Sequence, residues 1–219
     1  MPCTPVYTFL MKFTLGIDEA GRGPLAGPVS VGVVMVPEGF DVAKEFPGVQ
    51  DSKKLTEGKR EKIYEMLVAH VAKGDVRFAV EFESAETIDT EGIVPSVQKA
   101  LNRGIEKCGS LISRSQTSEN FLKSDFDFHI LLDGSLHAPE EYEQETIIHG
   151  DALIPIISLA SIAAKVERDH LMLALAKEYP EYGFETHKGY GTKMHYEMLK
   201  KYGLCAIHRR SFIHLASEA

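Results

Sequence analysis

The most informative stretch of this chain is Gly16-Ile17-Asp18-Glu19-Ala20-Gly21-Arg22-Gly23-Pro24-Leu25-Ala26-Gly27-Pro28. Two adjacent carboxylates, Asp18 and Glu19, stand at the end of an alternating apolar run, and a glycine-rich loop follows them directly. Carboxylate oxygens are hard ligands that suit Mg²⁺ or Mn²⁺. The glycines of the loop let backbone N–H groups approach a phosphate or a sugar, and Arg22 adds a planar cation. Metal ligands beside a phosphate-binding loop indicate phosphoryl-transfer chemistry.

The overall charge neither identifies nor excludes a nucleic-acid partner. The chain has 219 residues and a formal net charge of −8, the wrong sign for binding nucleic acid through bulk electrostatics. Basic pairs nevertheless occur at Lys53-Lys54, Lys59-Arg60, Lys200-Lys201 and Arg209-Arg210. Because a few well-placed cations and a bound metal can hold a phosphate backbone, the net charge does not decide the matter.

The cysteines and the hydropathy pattern favour a cytoplasmic protein. Cys3, Cys108 and Cys205 are widely spaced and odd in number, so we expect neither a disulfide framework nor a zinc site. No apolar run approaches the roughly 18 residues of a membrane span, and the N-terminus has no basic leader. We therefore predict one domain over residues 1–219, monomeric and without membrane association, in which residues 1–12 form a variable extension.

Strand-like and helix-like patterns alternate along the chain. The predicted strands are Phe13 to Asp18, Val29 to Val36, Val76 to Phe82, Phe126 to Leu132 and a short one at Ile147-Ile148. Helical periods follow Thr56, run from Val94 to Cys108, start again near Ser158, and extend from Thr192 to Tyr202. The serine-rich segment from Ser110 to Ser124 is predicted to be a loop. This mixture implies an α/β fold, but the spacing alone leaves the strand order open.

Four carboxylates are candidates for a metal centre: Asp18, Glu19, Asp133 and Asp151. Each lies at or just beyond an apolar strand pattern, where open sheets present ligands to substrates. Any one alone is equally well explained as a turn cap, but four together favour a two-metal site. Because neighbours on a strand point to opposite faces, Glu19 must lie where the strand breaks or reach around with its longer side chain. Asp169, on a predicted inward helix face, is a rival for the fourth ligand.

Several polar residues are candidates for contacts with phosphate or nucleotide. Lys53 and Lys54 precede a predicted helix N-terminus, which is a natural anion site, and we expect one of them to contact phosphate. Tyr190 stands between two glycines and either stacks on a sugar or base or packs on the core. A polar stripe at helical spacing is either a phosphate grip or a solvated face; it consists of Ser158, Ser161, Lys165 and Arg168.

The opening stretch is the first of a series of sequence blocks. The others are Asp51-Ser52-Lys53-Lys54-Leu55, Leu131-Leu132-Asp133-Gly134, Gly150-Asp151-Ala152 with Ser158 to Asp169, Tyr182-Gly183-Phe184, His187-Lys188-Gly189-Tyr190 and Ile207-His208-Arg209-Arg210-Ser211-Phe212. In this order, from residue 13 to 212, they resemble the blocks of the type-2 ribonucleases H, ribonuclease HII in bacteria. The resemblance implies a ribonuclease H-like α/β fold: a mixed five-stranded sheet flanked by helices, with a helical C-terminal portion from about residue 190 to 219.

The same resemblance implies an activity. It implies an endoribonuclease that hydrolyses the RNA strand of RNA–DNA hybrids and cuts 5′ to single ribonucleotides in duplex DNA, leaving 3′-hydroxyl and 5′-phosphate ends. It further implies two Mg²⁺ or Mn²⁺ ions, one to activate water and one to stabilise the leaving 3′-oxygen. The implied ligands are Asp18, Glu19, Asp133 and Asp151, so the family pattern favours Asp151 over Asp169. His149, where many relatives carry lysine, is a departure that changes the local charge.

By the same comparison, residues of the glycine loop and of the Tyr190 loop recognise the substrate. Gly21, Arg22 and Gly23 would read the 2′-hydroxyl that separates RNA from DNA. Tyr190 would probe the nucleotide beside the ribonucleotide. The residues themselves, rather than the comparison, add Lys53, Lys54, Ser161 and Lys165 to the predicted substrate contacts.

Other classes of protein fit the sequence less well. A P-loop nucleotide hydrolase would explain a glycine-rich loop, but the G-x-x-x-x-G-K-[ST] motif is absent. No histidine pairs with a nucleophile, so no triad is predicted, and His208 is interpreted as structural or phosphate-facing. A non-catalytic hybrid-binding module remains an alternative, as does the third type of bacterial ribonuclease H, whose usual N-terminal domain has little room in the 12 residues before the first strand.

Overall fold

The computed structural model describes residues 11–115 and 126–214. Its five strands are β1 (Met11–Ala20), β2 (Val29–Pro37), β3 (Arg77–Glu83), β4 (Phe126–Asp133) and β5 (Glu143–Ile147). Its helices are α1 (Val42–Glu45), α2 (Glu57–Lys73), α3 (Ala85–Glu91), α4 (Ile93–Ser115), α5 (Gly150–Leu153), α6 (Pro155–Glu178), α7 (Phe184–His187) and α8 (Lys193–Tyr202), followed by a 3₁₀ turn at Arg210–Phe212.

The strands form one mixed sheet in the order β3-β2-β1-β4-β5. Strand β1 pairs antiparallel with β2 and parallel with β4, while β4 pairs parallel with β5. The predicted α/β fold with a mixed five-stranded sheet is confirmed. Because β1 and β4 are parallel neighbours, their carboxyl ends meet at one edge of the sheet.

Helices cover both faces of the sheet, which explains why β2 is buried over almost its whole length. Alternate residues of β1 and β2 pack with α4, including Leu15, Ile17 and Val33. The residues between them face α6 and α2, as Val34 does. A strand covered on both faces is expected to be a continuous apolar run rather than an alternating one.

Two glycines let α6 lie directly on the sheet. A Cβ at Gly16 would stand 2.5 Å from the carbonyl carbon of Ile156, and a Cβ at Gly32 would stand 2.3 Å from the Ala160 oxygen. Gly16 lies two residues before Asp18 on β1, so both present the same face of the strand. The close approach of α6 therefore places this helix beside the Asp18 carboxylate.

Main-chain hydrogen bonds connect the C-terminal portion to the glycine-rich loop. The Leu25 N–H donates to the Gly189 carbonyl and the Gly27 N–H to the Ile207 carbonyl, both at 2.8 Å. In return, the Arg209 N–H donates to the Leu25 carbonyl at 2.8 Å. The loop that follows β1 is thus fixed by residues almost two hundred positions away in sequence.

Three predicted boundaries are wrong. The predicted loop from Ser110 is helical up to Ser115, at the end of α4, and its remainder falls in residues 116–125, outside the described part. Helix α6 begins at Pro155 rather than near Ser158, because proline is well suited to the first helical position. Strand β5 runs from Glu143 to Ile147 and excludes Ile148.

The predicted α8 is confirmed. The Thr192 hydroxyl accepts the His195 N–H, and the helix ends at Tyr202 before Gly203. Within the residues that the structure describes, no helix has the length and apolar character needed to cross a membrane.

Candidate active site

Three aspartates converge at the shared edge of β1 and β4. Asp18 lies near the end of β1, Asp133 is the last residue of β4, and Asp151 lies in the first turn of α5. One carboxylate oxygen from each lies within 4.8 Å of the others. The Asp151 N–H donates to Asp133 Oδ1 at 3.1 Å, so the backbone of α5 fixes two of these side chains relative to each other.

Glu19 lies beside this cluster and not within the set of three. Strand β1 pairs with β2 through Ala20, so Glu19 stays in regular strand geometry and the expectation of a strand break there is wrong. Its Oε1 lies 3.4 Å from Arg22 Nη1. Its Oε2 is buried without a hydrogen-bond partner in the described residues. A buried carboxylate oxygen without a partner is costly, so an additional cationic group is needed there.

The carboxylates repel one another in a poorly solvated site. Burial raises the pKa of Asp18 well above its usual value, and the charges of Glu19 and Asp133 add to this effect. Burial also raises the pKa of Glu19, with Asp133 contributing and Arg22 opposing. The donor set is entirely carboxylate oxygen, which is the chemistry that hard divalent cations such as Mg²⁺ and Mn²⁺ prefer. The site therefore fits a divalent metal ion.

Asp169, the rival for the fourth ligand position, is engaged elsewhere. Lys165 Nζ lies 2.7 Å from Asp169 Oδ1, and Arg60 Nη2 lies 3.9 Å from Asp169 Oδ2. The structure thus brings Asp151 into the carboxylate cluster and leaves Asp169 neutralised by two cations.

The two lysines of the Asp51 block differ in their surroundings. Lys53 Nζ lies 3.3 Å from Asp151 Oδ2, although 80% of the Lys53 side chain is exposed. Burial opposes its charge, but the carboxylates of Asp151, Asp18 and Asp51 outweigh it and raise the pKa of Lys53. Lys54 pairs with Asp51 at 3.8 Å. One lysine therefore reaches the carboxylate cluster and the other points to a local acidic partner.

On the predicted polar stripe of α6, Ser158 and Arg168 do not form a solvated helix face. Ser158 is buried, and its hydroxyl donates to the Asp151 carbonyl at 2.6 Å. Arg168 is fully buried, and in the described part of the chain its hydrogen bonds all go to main-chain carbonyls. These two residues connect α6 to neighbouring segments through their hydrogen bonds. They do not meet solvent, because this side of α6 lies close to the sheet.

Ser161, from the same stripe, lies beneath the metal-binding candidates. It is buried, and its hydroxyl favours the charged form of Asp18, partly offsetting the effect of burial on the pKa of that carboxyl. The Ser52 and Ser161 hydroxyl oxygens are 2.9 Å apart. Either hydroxyl can donate in this contact. The pair orients Asp18 from below.

Two buried arginines hold the glycine-rich loop by its carbonyl oxygens. Arg168 donates to the carbonyls of Pro28 at 2.9 Å, Lys188 at 3.1 Å and Ala26 at 3.3 Å. Arg209 donates to the carbonyls of Gly21 at 2.7 Å, Arg22 at 2.9 Å and Gly27 at 2.9 Å. Burial lowers the pKa of Arg209 to about 9, and the neighbouring Arg168 contributes. The sequence alone does not show that Arg168 and Arg209 are buried. The signal that could have indicated it is the glycine at positions 21 and 27, where a neighbouring side chain approaches the backbone closely.

Tyr190 stands at the surface beside this loop. Its residue is 43% exposed, and both Lys165 Nζ and Arg168 Cζ lie 5.9 Å from the ring centroid. The alternative of a core-packed tyrosine is therefore wrong. Lys188 adopts a left-handed conformation, with φ of +49°, in the turn that presents the tyrosine. The ring is available to a ligand beside α6, the helix that carries Lys165 and Arg168.

Comparison with known proteins now identifies the family. The sequence model described as ribonuclease HII matches residues 15–215. The chain belongs to the ribonuclease HII family. It is 43% identical over 199 residues to the ribonuclease HII of Francisella philomiragia, covering 90% of this chain and 95% of the relative. It is 44% identical to that of Endomicrobium trichonymphae, covering 90% and 83% of the two chains.

A solved structure supports the same family. The ribonuclease H2 of Pyrococcus horikoshii matches with a TM-score of 0.62 and 28% identity, covering 91% of this chain and 93% of that one. The resemblance inferred from the sequence blocks is confirmed. As a member of this family, the chain is a metal-dependent endoribonuclease of the ribonuclease H type, a class that acts on RNA–DNA hybrids. The roles predicted for individual site residues stay predictions.

Beneath Tyr190, this ribonuclease HII carries a cluster of buried histidines that the sequence did not reveal. His187, His195 and His208 are each more than 90% buried. The rings of His187 and His195 are stacked with centroids 4.4 Å apart, and the Nε2 atoms of His195 and His208 are 3.0 Å apart. Phe184 packs against all three rings.

Burial favours the neutral form of His195 and His208. Burial lowers the pKa of His208 to about 4, and His195 contributes. Burial also lowers the pKa of His195. The prediction that His208 is structural, rather than a general base, agrees with a ring that is buried and hydrogen-bonded on both nitrogens.

The cluster predicts a loss of stability in mild acid. An unfolded histidine has a pKa of about 6.5, whereas that of folded His208 is about 4. The unfolded chain therefore binds the extra proton between these values, and this contribution to stability falls as pH drops from about 6.5 to about 4. The groups facing His208 that titrate are His195, His187 and Cys205.

Chemical denaturation at pH 7.5, 6 and 5 tests this prediction. We expect His208 to contribute at most about 1.4 kcal/mol per pH unit to the slope, and the His208→Asn variant to lack that contribution. Equal slopes for the two proteins would show that His208 is protonated in the folded state.

Proposed function

We propose that this ribonuclease HII both hydrolyses the RNA strand of RNA–DNA hybrids and incises duplex DNA on the 5′ side of a single ribonucleotide. The observation that carries the proposal is continuity along β1: Asp18 and Glu19 run directly into the glycine-rich loop. A phosphate at the carboxylates would therefore have its neighbouring ribose at the loop. One short segment then both positions the bond to be cut and tests the sugar beside it.

The carboxylates Asp18, Glu19, Asp133 and Asp151 would hold two Mg²⁺ or Mn²⁺ ions. This is supported by the convergence of three of them within 4.8 Å and by the unpartnered Oε2 of Glu19. The chemistry that such ions supply is activation of the attacking water and stabilisation of the leaving 3′-oxygen, which leaves 3′-hydroxyl and 5′-phosphate ends.

The main chain of the loop would recognise the 2′-hydroxyl. The carbonyls of Gly21 and Arg22 are already bonded to Arg209. The N–H groups of Gly21, Arg22 and Gly23, in contrast, have no hydrogen-bond partner among the residues that the structure describes. Donors held rigidly and left open are suited to a hydroxyl oxygen, and a deoxyribose offers none. The buried arginines thus occupy the carbonyls of the loop and leave these N–H groups for a ligand.

Charged residues around the carboxylates would hold the phosphate backbone. Lys53 combines a mostly exposed side chain with an ammonium group 3.3 Å from Asp151, so a phosphate at the cluster would meet this cation. Lys54 and Lys165 are proposed as outer contacts, since each keeps an acidic partner at 3.8 Å and 2.7 Å. Ser161 would act on the substrate through Asp18, whose carboxylate it bonds.

Tyr190 would stack on the sugar next to the ribonucleotide. Its exposed ring and the two adjacent cations support a contact with a nucleotide. Stacking favours a deoxyribose at that position, where no 2′-hydroxyl intrudes. The glycine loop and Tyr190 together would define an RNA-to-DNA junction.

We further propose that the protein works in the cytoplasm as a monomer. All four carboxylates and the substrate-reading residues come from one chain. Cys108 and Cys205 are free thiols, which suits a reducing compartment.

A duplex DNA that carries one ribonucleotide tests the proposed function. In Mg²⁺ we expect a single cut on the 5′ side of the ribonucleotide and no cut in the all-DNA duplex. Tyr190→Ala should lower the rate on this substrate about tenfold, a loss equivalent to one stacking contact. Tyr190→Phe, the matched control, should retain most of the rate because it keeps the ring. A wild-type protein that cuts long hybrids but ignores the single ribonucleotide would exclude junction recognition.

A further inference from the structure

The buried histidines form a chain of hydrogen bonds whose proton positions are determined by their partners. The Cys205 N–H donates to His208 Nδ1 at 2.9 Å, so that nitrogen carries no proton. The neutral His208 ring is therefore protonated on Nε2. Its Nε2–H faces His195 Nε2 at 3.0 Å, and His195 Nε2 must accept.

The chain ends on the main chain of Tyr190. With its Nε2 accepting, neutral His195 carries its proton on Nδ1. That atom lies 2.9 Å from the Tyr190 carbonyl oxygen, which only accepts. The direction is thus the same at every step, from the Cys205 N–H through His208 and His195 to the Tyr190 carbonyl.

His187 supports the same loop with its proton on Nε2, which is the tautomer of His208 and the opposite of that of His195. The Gly189 N–H donates to His187 Nδ1 at 3.2 Å, and His187 Nε2 donates to the Tyr182 carbonyl at 2.9 Å. The Tyr190 N–H in turn donates to the His187 carbonyl at 2.9 Å. Every nitrogen of the three rings has a partner, and an added proton on His195 or His208 would place two N–H groups against each other. The cluster is complete only when all three rings are neutral.

We infer that His195 and His208 are positioning residues that set the place of Tyr190 in the substrate site. This inference rests on the proposed function, because it assigns these histidines a role only through the stacking ring of Tyr190. Neither ring is exposed to substrate, since His195 is fully buried and His208 is 2% exposed. Their effect must therefore pass through the Tyr190 carbonyl. Residues from α8 and from the segment after it therefore determine part of the substrate discrimination.

A matched pair of amides at position 195 tests the inference. The side-chain nitrogen of asparagine occupies the place of Nδ1, so His195→Asn keeps the donor to the Tyr190 carbonyl. Glutamine reaches the place of Nε2, so His195→Gln keeps the contact with His208 and loses that donor. Both substitutions remove the same ring from the same cavity, and they differ in the bond that matters.

The readout is the ratio of two cleavage rates, one on the single-ribonucleotide duplex and one on an RNA–DNA hybrid. A lower folded fraction affects both substrates equally, so loss of stability alone does not move this ratio. We expect His195→Gln to lower the ratio about fivefold, the equivalent of one ordinary hydrogen bond. We expect His195→Asn to stay within about twofold of the wild type. In a Tyr190→Ala background, His195→Gln should have no further effect on the ratio.

Failure of the inference is distinguishable from failure of the proposed function. If Tyr190→Ala leaves the ratio unchanged, the proposed stacking role fails and the inference fails with it. If Tyr190→Ala lowers the ratio but His195→Gln does not, only the inference is overturned. Long-range ¹⁵N–¹H NMR correlations of the wild type at pH 7.5 add an independent check: protons on Nε2 of His208 and on Nδ1 of His195 are expected, and the reverse arrangement would overturn it.

Discussion

Asp133→Asn is expected to reduce turnover at least about a hundredfold, the order of loss seen when a charge-stabilising group is removed from an active site. A neutral amide is a poorer ligand for a hard cation than a carboxylate. The fold should survive, because the Asp151 N–H bonded to Asp133 Oδ1 finds an equivalent acceptor in the amide oxygen. Cleavage of an RNA–DNA hybrid at moderate Mg²⁺ measures the effect, and circular dichroism and duplex binding confirm that the variant is folded. Near-native cleavage would exclude Asp133 as a metal ligand.

Asp151→Asn and Asp169→Asn form the comparison that assigns the fourth ligand. Asp151 belongs to the cluster of three, whereas Asp169 pairs with Lys165 and Arg60. We therefore expect Asp151→Asn to approach the loss at Asp133, and Asp169→Asn to act mainly on stability. A larger loss of activity at Asp169 would show that Asp151 is the wrong choice.

Gly21→Ala is expected to destabilise the protein strongly. Gly21 has φ of +86°, and a Cβ there would stand 2.1 Å from Arg168 Nε and 2.5 Å from Arg168 Cδ. Arg168 is buried and holds three carbonyls, so it has no room to withdraw. The left-handed conformation and the overpacking together should cost on the order of 3 kcal/mol in unfolding free energy. Urea denaturation measures this loss.

Gly23→Ala is the matched control from the same loop. A Cβ at Gly23 meets no atom within 4 Å, so the free protein should keep its stability. If the loop approaches a ribose as proposed, the added methyl group should instead raise KM for the single-ribonucleotide duplex. A variant with unchanged stability and unchanged KM would show that the substrate does not approach Gly23.

The sequence predicts which carboxylates form the cluster better than it predicts the strand pairing that brings them together. Asp18 and Asp133 end apolar strand patterns, and the family blocks add Asp151, so the amino-acid sequence alone identifies the three members of the cluster. Their proximity depends on β1 and β4 being parallel neighbours, which the spacing leaves open. The sequence leaves open whether the strand breaks at Glu19 or the side chain reaches around, and pairing with Val31 keeps this residue in the strand. Local pattern identifies the clustered carboxylates, and long-range pairing decides their geometry.

Buried polar residues are the part that the sequence does not reveal. From the sequence, Arg168 is expected to be a solvent-facing phosphate contact. In the structure it is buried because the loop between Gly21 and Pro28 presents carbonyl oxygens that accept its hydrogen bonds. His195 and His208 similarly gain their partners only when the segment after α8 folds back. Periodicity records which face of a helix is apolar, and it carries no information on unpaired carbonyls supplied by distant residues.

The most direct test of the central claim is the cleavage of an RNA–DNA hybrid by the purified wild-type protein in Mg²⁺, in Mn²⁺ and in EDTA, with analysis of the product ends. We expect cleavage of the RNA strand only when a divalent ion is present, with 3′-hydroxyl and 5′-phosphate ends, because water is the nucleophile. Cleavage that persists in EDTA, or products ending in a 2′,3′-cyclic phosphate, would contradict the account, since the 2′-hydroxyl would then be the nucleophile and the carboxylate cluster would not be the catalytic centre.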